Sequence, residues 1–479
     1  MSLPANLYAA WRAQRLSASP LREDGPPPEQ LLQAVWRHQR LLRDQLTLAD
    51  GRPLRVLHPG FQNREPGPDF RDAIVQFASE PPVRGDVELD LVAGGWRAHR
   101  HDVNPAYRAV VLHVIWDGAD VGDLPTVTLK SRLDAPLGEL AEWLGGPEAA
   151  RPGDLVGKCC GPLRELQREQ LDALLQQAAL VRLQLKSAHL AARARQCGWE
   201  QALWEDLFAA LGYKHNVWPL RRLAELAGAS GEKLAAESWQ ARLAGWSGLL
   251  PDELPRGRWL DADYLRRLWD AWWRERERFS EVILPRAMWR MSGLRPANQP
   301  LRRLALAAHW LAAGDLPTRL EHWFTGEIPD EHLTASLLET LQPAADDFWS
   351  WHWTLKSPRL KKPQPLLGEA RLTDLAVNVI LPWLWARAAA GRNAQLRSRA
   401  EARFLAWPAG QDNAVLRLAR ERLFADEPPR GLFLHAAAQQ GLLQIVRDFC
   451  AQSNALCEAC HFPELARRVG AEQPAPLRS

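Results

Sequence analysis

The chain of 479 residues has only six cysteines, four tyrosines and three methionines. Six thiols in so long a chain do not make a disulfide framework, and cytosolic thiols ordinarily stay reduced. No run of about 18 uncharged apolar residues occurs, so no membrane span is expected. The opening "MSLPANLYAAWRAQRL" has no apolar core behind a basic start, so it does not read as a secretory signal; a cytoplasmic location is expected. A formal charge of +3 is far from the strongly basic balance that marks a nucleic-acid binder by itself. It permits a polyanionic partner without requiring one. "GDLVGKCCG" and "GASGEKLA" lack the spacing of a phosphate-cradling loop, and there is no nucleophile elbow.

What is present is an ordinary soluble composition, 46% hydrophobic and 24% charged. Length alone favours two or three domains. The 23 tryptophans are expected mainly in helical cores, where indoles bury large apolar areas, with base stacking the alternative for a few. Residues 1–28 form an N-terminal arm broken by "GPPPEQ". From Glu29, "EQLLQAVWRHQRLLRDQL" carries a helical stripe. The period then shortens: "RPLRVLHPG", "AIVQFA", "VELDLV", "AVVLHVIW" and "PTVTLKSRL" read as strands between turn residues. Residues 29–133 are therefore one α+β domain with about five strands. A linker, 134–161, carries one short helix and a Gly/Pro-rich connection. Residues 162–430 read as helical, with a long amphipathic stretch "LRELQREQLDALLQQAALVRLQLKSAHLAARARQ" and further segments at Glu200–Leu211, Trp218–Ala227, Leu260–Phe279, Leu301–Ala313, Leu372–Ala390 and Ala414–Phe424. Residues 431–479 are a helix running into a cysteine tail.

The chemistry concentrates in "NREPGPDFRDAIVQFASEPPVRGDVELD". Along a strand "GDVELDLV", Val87, Leu89 and Leu91 share one face and Glu88 and Asp90 the other. Two acids on one face repel unless a cation or base sits between them. A hairpin with the preceding strand brings Asp69 beside Glu88. Carboxylates so placed suit Mg²⁺ or Mn²⁺ and metal-assisted attack on a phosphodiester. The competing reading makes Asp69 a turn residue after Gly-Pro and the other two the wet face of an edge strand. In "WRAHRHDVNPAY", His99 and His101 are expected on one strand face, as metal ligands or a general acid, or facing solvent while Trp96 and Tyr107 close the sheet edge. His113, flanked by Val111 and Ile115, reads as a satisfied core histidine.

The segments "NREPGPDF", "GDVELDL", "WRAHRHDVNPAYRAVVLHVIW", "RPANQPLRRLA", "VNVILPWLW" and "QQGLLQIVRDFC…CEAC" together resemble an uncharacterised bacterial family, domain of unknown function 2851, from about Glu29 to Cys460. Its acidic part is similar to the PD-(D/E)XK nuclease superfamily. That resemblance implies a mixed-sheet nuclease-like domain followed by a large all-α region. Asp69 and Glu88 would bind the metal, and Glu29 on the first helix would be an accessory acid. Asp90 stands where such nucleases carry lysine, so it is a further ligand or a mark of lost catalysis. Arg71, His99, His101, His113 and Lys130 are the candidates for the missing basic group.

"CAQSNALCEACHF" spaces Cys450, Cys457 and Cys460 as C-x6-C-x2-C, which puts thiolates within reach of one tetrahedral metal. The fourth ligand is open: Cys159 or Cys160 reaches it only if the chain folds back, and Cys197 reads as an ordinary thiol. Zinc and an iron–sulfur cluster both fit four cysteines, and some nucleases of the superfamily carry such a cluster. Three functions follow as expectations. The first is a divalent-metal nuclease or nuclease-like protein acting on DNA or RNA. The second is an inactive nuclease fold that binds nucleic acid or a protein partner, a second copy included. The third is a helical scaffold with a zinc-stapled tail.

Overall fold

A computed structural model describes residues 6–17, 26–63, 67–118, 124–144, 156–213, 215–254, 262–291, 294–425, 427–450, 457 and 460–471. The Gly/Pro-rich connection after residue 144 and the end of the tail lie outside these. The described chain is mixed α+β, a sheet near the N-terminus followed by a mostly helical region.

Helix α1 (Leu7–Ser17) precedes α2 (Glu29–His38), which buries Leu31, Leu32, Val35 and Trp36. Strands β1 (Leu54–His58), β2 (Phe61–Gln62), β3 (Phe70–Phe77) and β4 (Val83–Val92) follow. A short helix α3 (Gly95–Ala98) then leads to β5 (Val110–Asp117) and β6 (Thr126–Thr128). The order is β1-β3-β4-β5-β6, with β2 pairing β3 as a sixth strand beyond the five expected. The pairs β1·β3 and β3·β4 are antiparallel, whereas β4·β5 and β5·β6 are parallel. Joining β4 to a parallel β5 takes a crossover, and residues 93–109 supply it.

Val87 and Leu89 are fully buried in one core with Leu32, Trp36 and Leu140. Glu88 and Asp90, on the opposite face, are equally buried, at 6% and 5% exposure. A strand buried on both faces with acids on one of them needs partners for those acids. The Asp69 amide, His113 of β5, and His99 and His101 of the crossover provide them.

The helical region is organised on α6 (Arg168–Cys197), 30 residues and about 45 Å long. Its Leu171, Leu174, Leu175 and Val181 share a core with Tyr8 of α1 and with Leu442, Phe462 and Leu465 near the C-terminus. Its Leu183 and Leu190 belong to a larger core with Leu203, Phe208, Leu223, Trp246 and Trp383. Being buried on both sides removes a polar stripe, and this effect hid one helix. Residues Ala236–Trp246 are buried at every position from Trp239 onward, so no 3.6-residue alternation marks them. Helices at Leu316–Thr325, Leu333–Leu341 and Ala394–Ala406 fall within the region expected to be helical, and two of them are buried on one side only, through Leu333, Leu337 and Leu341 and through Ala400, Arg403 and Phe404. The expected helix at 260–279 is shorter, Ala262–Trp273, then a 3₁₀ segment. The helix Glu369–Leu375 passes through a π-turn, Ala376–Ile380, before Leu381–Ala390. Tryptophans dominate the largest fully buried side chains, including Trp36, Trp239, Trp246, Trp349, Trp383 and Trp407. No described helix is long and apolar enough to cross a membrane.

Candidate metal centre

The β3·β4 pairing sets Phe70 opposite Val87, which places Asp69 next to Glu88. The two acids are cross-linked through the backbone. Asp69 N–H donates to Glu88 Oε2 at 3.1 Å, and Leu89 N–H donates to Asp69 Oδ2 at 3.0 Å. Gln33 Nε2 of α2 donates to the remaining Asp69 oxygen, Oδ1, at 2.8 Å. Glu29, one turn earlier and exposed, joins only through Gln33, at 3.4 Å.

Asp90 lies between two imidazoles. His113 Nε2 is hydrogen-bonded to its Oδ2 at 3.0 Å, and His99 Nδ1 is 3.3 Å from its Oδ1. The parallel register puts His113 opposite Glu88, on the acid face, so it is satisfied by an acid of the site and not merely by the core. His99 and His101 are not on a strand, contrary to expectation. Strand β4 ends at Val92, and the Gly94-Gly95 pair opens the single turn of α3. That turn folds the histidines back over the sheet, with Arg100 in left-handed conformation between them. Gly95 is required there, since a Cβ would lie 2.4 Å from Asp90 Oδ1.

His101 is 8% exposed and stacks on Tyr107 at 3.9 Å. Its Nδ1 is 3.3 Å from Glu88 Oε1 yet makes no hydrogen bond. Trp96 packs edge-on against both His101 and Tyr107. Donor atoms of Asp90, His99 and His101 all lie within 4.8 Å of one another, the one such cluster among the described residues.

Burial and mutual repulsion raise the acids. Asp69 is pushed up to about 7, first by burial and then by Glu29 and Asp90, against the opposing Leu89 N–H bond. Glu88 is pushed up to about 8, by burial and then by Asp69. His101 is lowered by burial, against the pull of Asp90. Protons held on acids beside an imidazole with an idle nitrogen mark a site that a cation would complete. Of the basic candidates, Lys130 pairs with Asp117 at 2.6 Å at the far end of β5, and Arg71 is exposed on β3.

A family model described as Protein of unknown function (DUF2851) matches residues 29–412. The chain belongs to that family. The DUF2851 match opens at the first residue of α2 and takes in every residue of this centre. It stops short of the cysteine tail, which the sequence resemblance had included. Neither the curated proteins nor the solved structures contain a match.

In that tail Cys450 closes a π-turn, Val446–Cys450. Cys460 N–H donates to Cys457 O at 3.4 Å, and Cys457 has a left-handed φ of 59°. The chain does fold back. A Cβ on Gly157 would lie 3.2 Å from Cys159 Sγ and 3.6 Å from Cys457 Sγ, so both sulfurs border one space. The Cys159 thiol is raised by burial and then by Cys450, Cys457 and Cys460. Cys450 is pushed up to about 11, by burial, against Arg422. Cys197 donates to Arg193 O on α6.

Gln33, Gly95, Trp96 and Tyr107 were not singled out as parts of the centre from the sequence. Two signals were available. Gln33 stands four residues after Glu29, on the same helical face, and a Gly-Gly pair at a strand end announces a close backbone approach.

Proposed function

We propose that this DUF2851 chain hydrolyses phosphodiester bonds of nucleic acid with a divalent cation held by Glu88, Asp90, His99 and His101. One observation carries this reading: donor atoms of Asp90, His99 and His101 lie within 4.8 Å of one another, and the buried His101 Nδ1, without a hydrogen bond, is 3.3 Å from Glu88 Oε1. A buried nitrogen left without a partner costs about 1–3 kcal/mol, and coordination removes that cost. The mixed oxygen and nitrogen donors suit Mn²⁺ better than the Mg²⁺ of an all-carboxylate site. When bound, such an ion supplies Lewis-acid charge to a phosphate and acidity to a water.

The chain's own residues hold these donors in place. Gln33 and the Leu89 amide fix Asp69, whose own amide fixes Glu88. His113 orients Asp90, and Tyr107 fixes the plane of His101. Asp69 thus acts as a positioning acid with both oxygens engaged. Arg71, two residues along β3 and exposed, is suited to meet a substrate phosphate. The antiparallel acid-bearing strands agree with what the PD-(D/E)XK resemblance implies. Asp90 at the lysine position acts as a ligand in this reading.

The test is digestion of plasmid, linear DNA and RNA by the full chain with Mn²⁺, Mg²⁺ or chelator, beside an Asp69→Ala/Glu88→Ala variant. Cutting by the wild type alone, strongest with Mn²⁺, is expected; equal cutting by both proteins points to a contaminant. A second reading keeps the fold for binding without chemistry. It is favoured by the full engagement of Asp69 and by the absence of lysine at position 90, and it predicts salt-dependent nucleic-acid binding without cleavage.

The C-terminal thiols are candidates for a separate structural metal, zinc or an iron–sulfur cluster, with Cys159 completing the set of Cys450, Cys457 and Cys460; no three of these sulfurs lie within 4.8 Å of one another, so binding would have to draw them together. The support is the shared space beside Gly157. Metal and sulfide analysis of the wild type, Cys159→Ser and Cys160→Ser checks this: only Cys159→Ser is expected to lose metal.

A further inference from the structure

Beside α2, along the face that carries Gln33, lies a cavity of about 520 Å³, bounded by α2, α6, the π-turn Ala376–Ile380 and the end of the helix Ala436–Ile445. Its walls include Arg37, His38, Arg182, Lys186, His189 and Arg447. The bonded partners of the two central cations are neutral. Lys186 Nζ donates to Asn378 Oδ1, to Gln440 Oε1 at 2.7 Å and to Val377 O at 3.3 Å. Arg182 Nε donates to that same Gln440 oxygen at 2.9 Å. The acids around the cavity, Asp206 in its own wall among them, are committed elsewhere. Asp206 pairs with Arg221 at 2.7 Å, Asp374 with Arg371 at 3.3 Å, and Asp448 bonds to Tyr8 and Gln444 and pairs with Arg12.

Two cations sharing one amide oxygen, with more cations around them, are unfavourable in a low-dielectric cavity. The strain is visible in each group. Lys186 is held well below its ordinary value by burial, then by Arg182 and Arg447. His38 is lowered to about 3 by burial, then Arg37, Arg447 and Arg40. His38 is exposed and lines the cavity. A compact multivalent anion would relieve all of these repulsions together.

We infer that this cavity binds a phosphate group, presented by a nucleic-acid strand end or as a free phosphate compound. The inference deepens the proposed nuclease function and rests on it only for the strand-end source. Gln33 links the two places, lining the cavity and donating to Asp69. Forked guanidiniums beside an ammonium are the usual protein groups for phosphate recognition.

The test titrates inorganic phosphate into the full chain at constant ionic strength, read by calorimetry and thermal melting, with chloride as control. Saturable binding that raises Tm is expected. In Lys186→Met and in Arg447→Gln, phosphate affinity falls roughly tenfold or more, the value of one charge-assisted hydrogen bond. Without phosphate, the melting point of Lys186→Met rises, because an unrelieved buried cation has been removed. A lowered melting point together with unchanged phosphate affinity would show that Lys186 is a structural donor and overturn the inference. So would a phosphate effect no larger than that of chloride. Asp69→Ala retains phosphate binding, so failure of catalysis and failure of the cavity are separable. A 5′-phosphorylated oligonucleotide binding at least tenfold tighter than both its 5′-hydroxyl counterpart and inorganic phosphate assigns a strand end. Equal affinities for the phosphorylated strand and inorganic phosphate assign a free compound.

Discussion

Two charged clusters meet at Gln33 of helix α2, one of buried acids and one of half-buried cations, and their difference is instructive. On the sheet side the acids can shed charge. Asp69 and Glu88 rise to about 7 and 8, so they accept protons when no cation is near. On the α6 side arginines cannot do this at any ordinary pH, so their excess is spread over amide oxygens and adds to the burial that lowers Lys186 and His38. The first cluster stores an unused imidazole nitrogen and the second stores uncancelled positive charge. One is suited to a cation and the other to an anion; under the proposed function, a phosphodiester would be drawn to the first only through its bound cation.

The strongest way to break this comparison is to remove a donor from the acid side alone. Asp90→Ala takes away an oxygen and the partner of two histidines. It is expected to weaken Mn²⁺ binding by a hundredfold or more, at about the upper end for disrupted metal centres, while phosphate affinity by calorimetry stays unchanged. Loss of both functions would mean that the two clusters are one folding unit.

Next in size is a contrast between cations. Arg193 forms a two-pronged pair with Glu205, at 2.8 and 2.9 Å, and Glu205 is 1% exposed. Breaking a buried pair costs about 3–5 kcal/mol, so Glu205→Gln is expected to lower stability by that order in chemical denaturation. Lys186→Met, at a cation bound only to neutral groups, is expected to do the opposite.

A smaller effect is expected of Gly95→Ala. Its methyl would displace Asp90, at about 1–3 kcal/mol for an overpacked contact. Mn²⁺ affinity should fall roughly tenfold while circular dichroism is unchanged.

The smallest effect concerns His38. Its folded value of about 3 lies below the 6.5 of an unfolded histidine, so the folded state resists protonation and loses stability as pH falls from about 6.5 toward 3. His38→Gln should make that decline shallower, as read by melting point against pH, and bound phosphate should do the same in the wild type.

The legibility of these features tracks their sequence separation. Asp69 and Glu88 are 19 residues apart on a hairpin, and strand alternation alone forecasts that they meet. Asp90 beside His113 needs only the register of two parallel strands, but the sequence places His113 in the core because Val111 and Ile115 mask the acids facing it. His99 and His101 were misplaced because a one-turn helix after Gly94-Gly95 reverses the chain where alternation suggested a strand. The cation cavity was illegible, since residues 37, 182, 186 and 447 each look like solvated helix positions until α6 brings them together. Cys159 and Cys457, nearly 300 residues apart, border one space beside Gly157; the sequence offers Cys159 only as a candidate that depends on the chain folding back.

The central claim is that imidazole and carboxylate groups of β4 and the crossover grip one divalent ion. Pulsed electron paramagnetic resonance of Mn²⁺ bound to the full chain tests it directly. The account predicts one bound ion per chain with nitrogen couplings from histidine, weakened in His101→Ala. Bound Mn²⁺ without nitrogen coupling, or no bound Mn²⁺ at all, would contradict it.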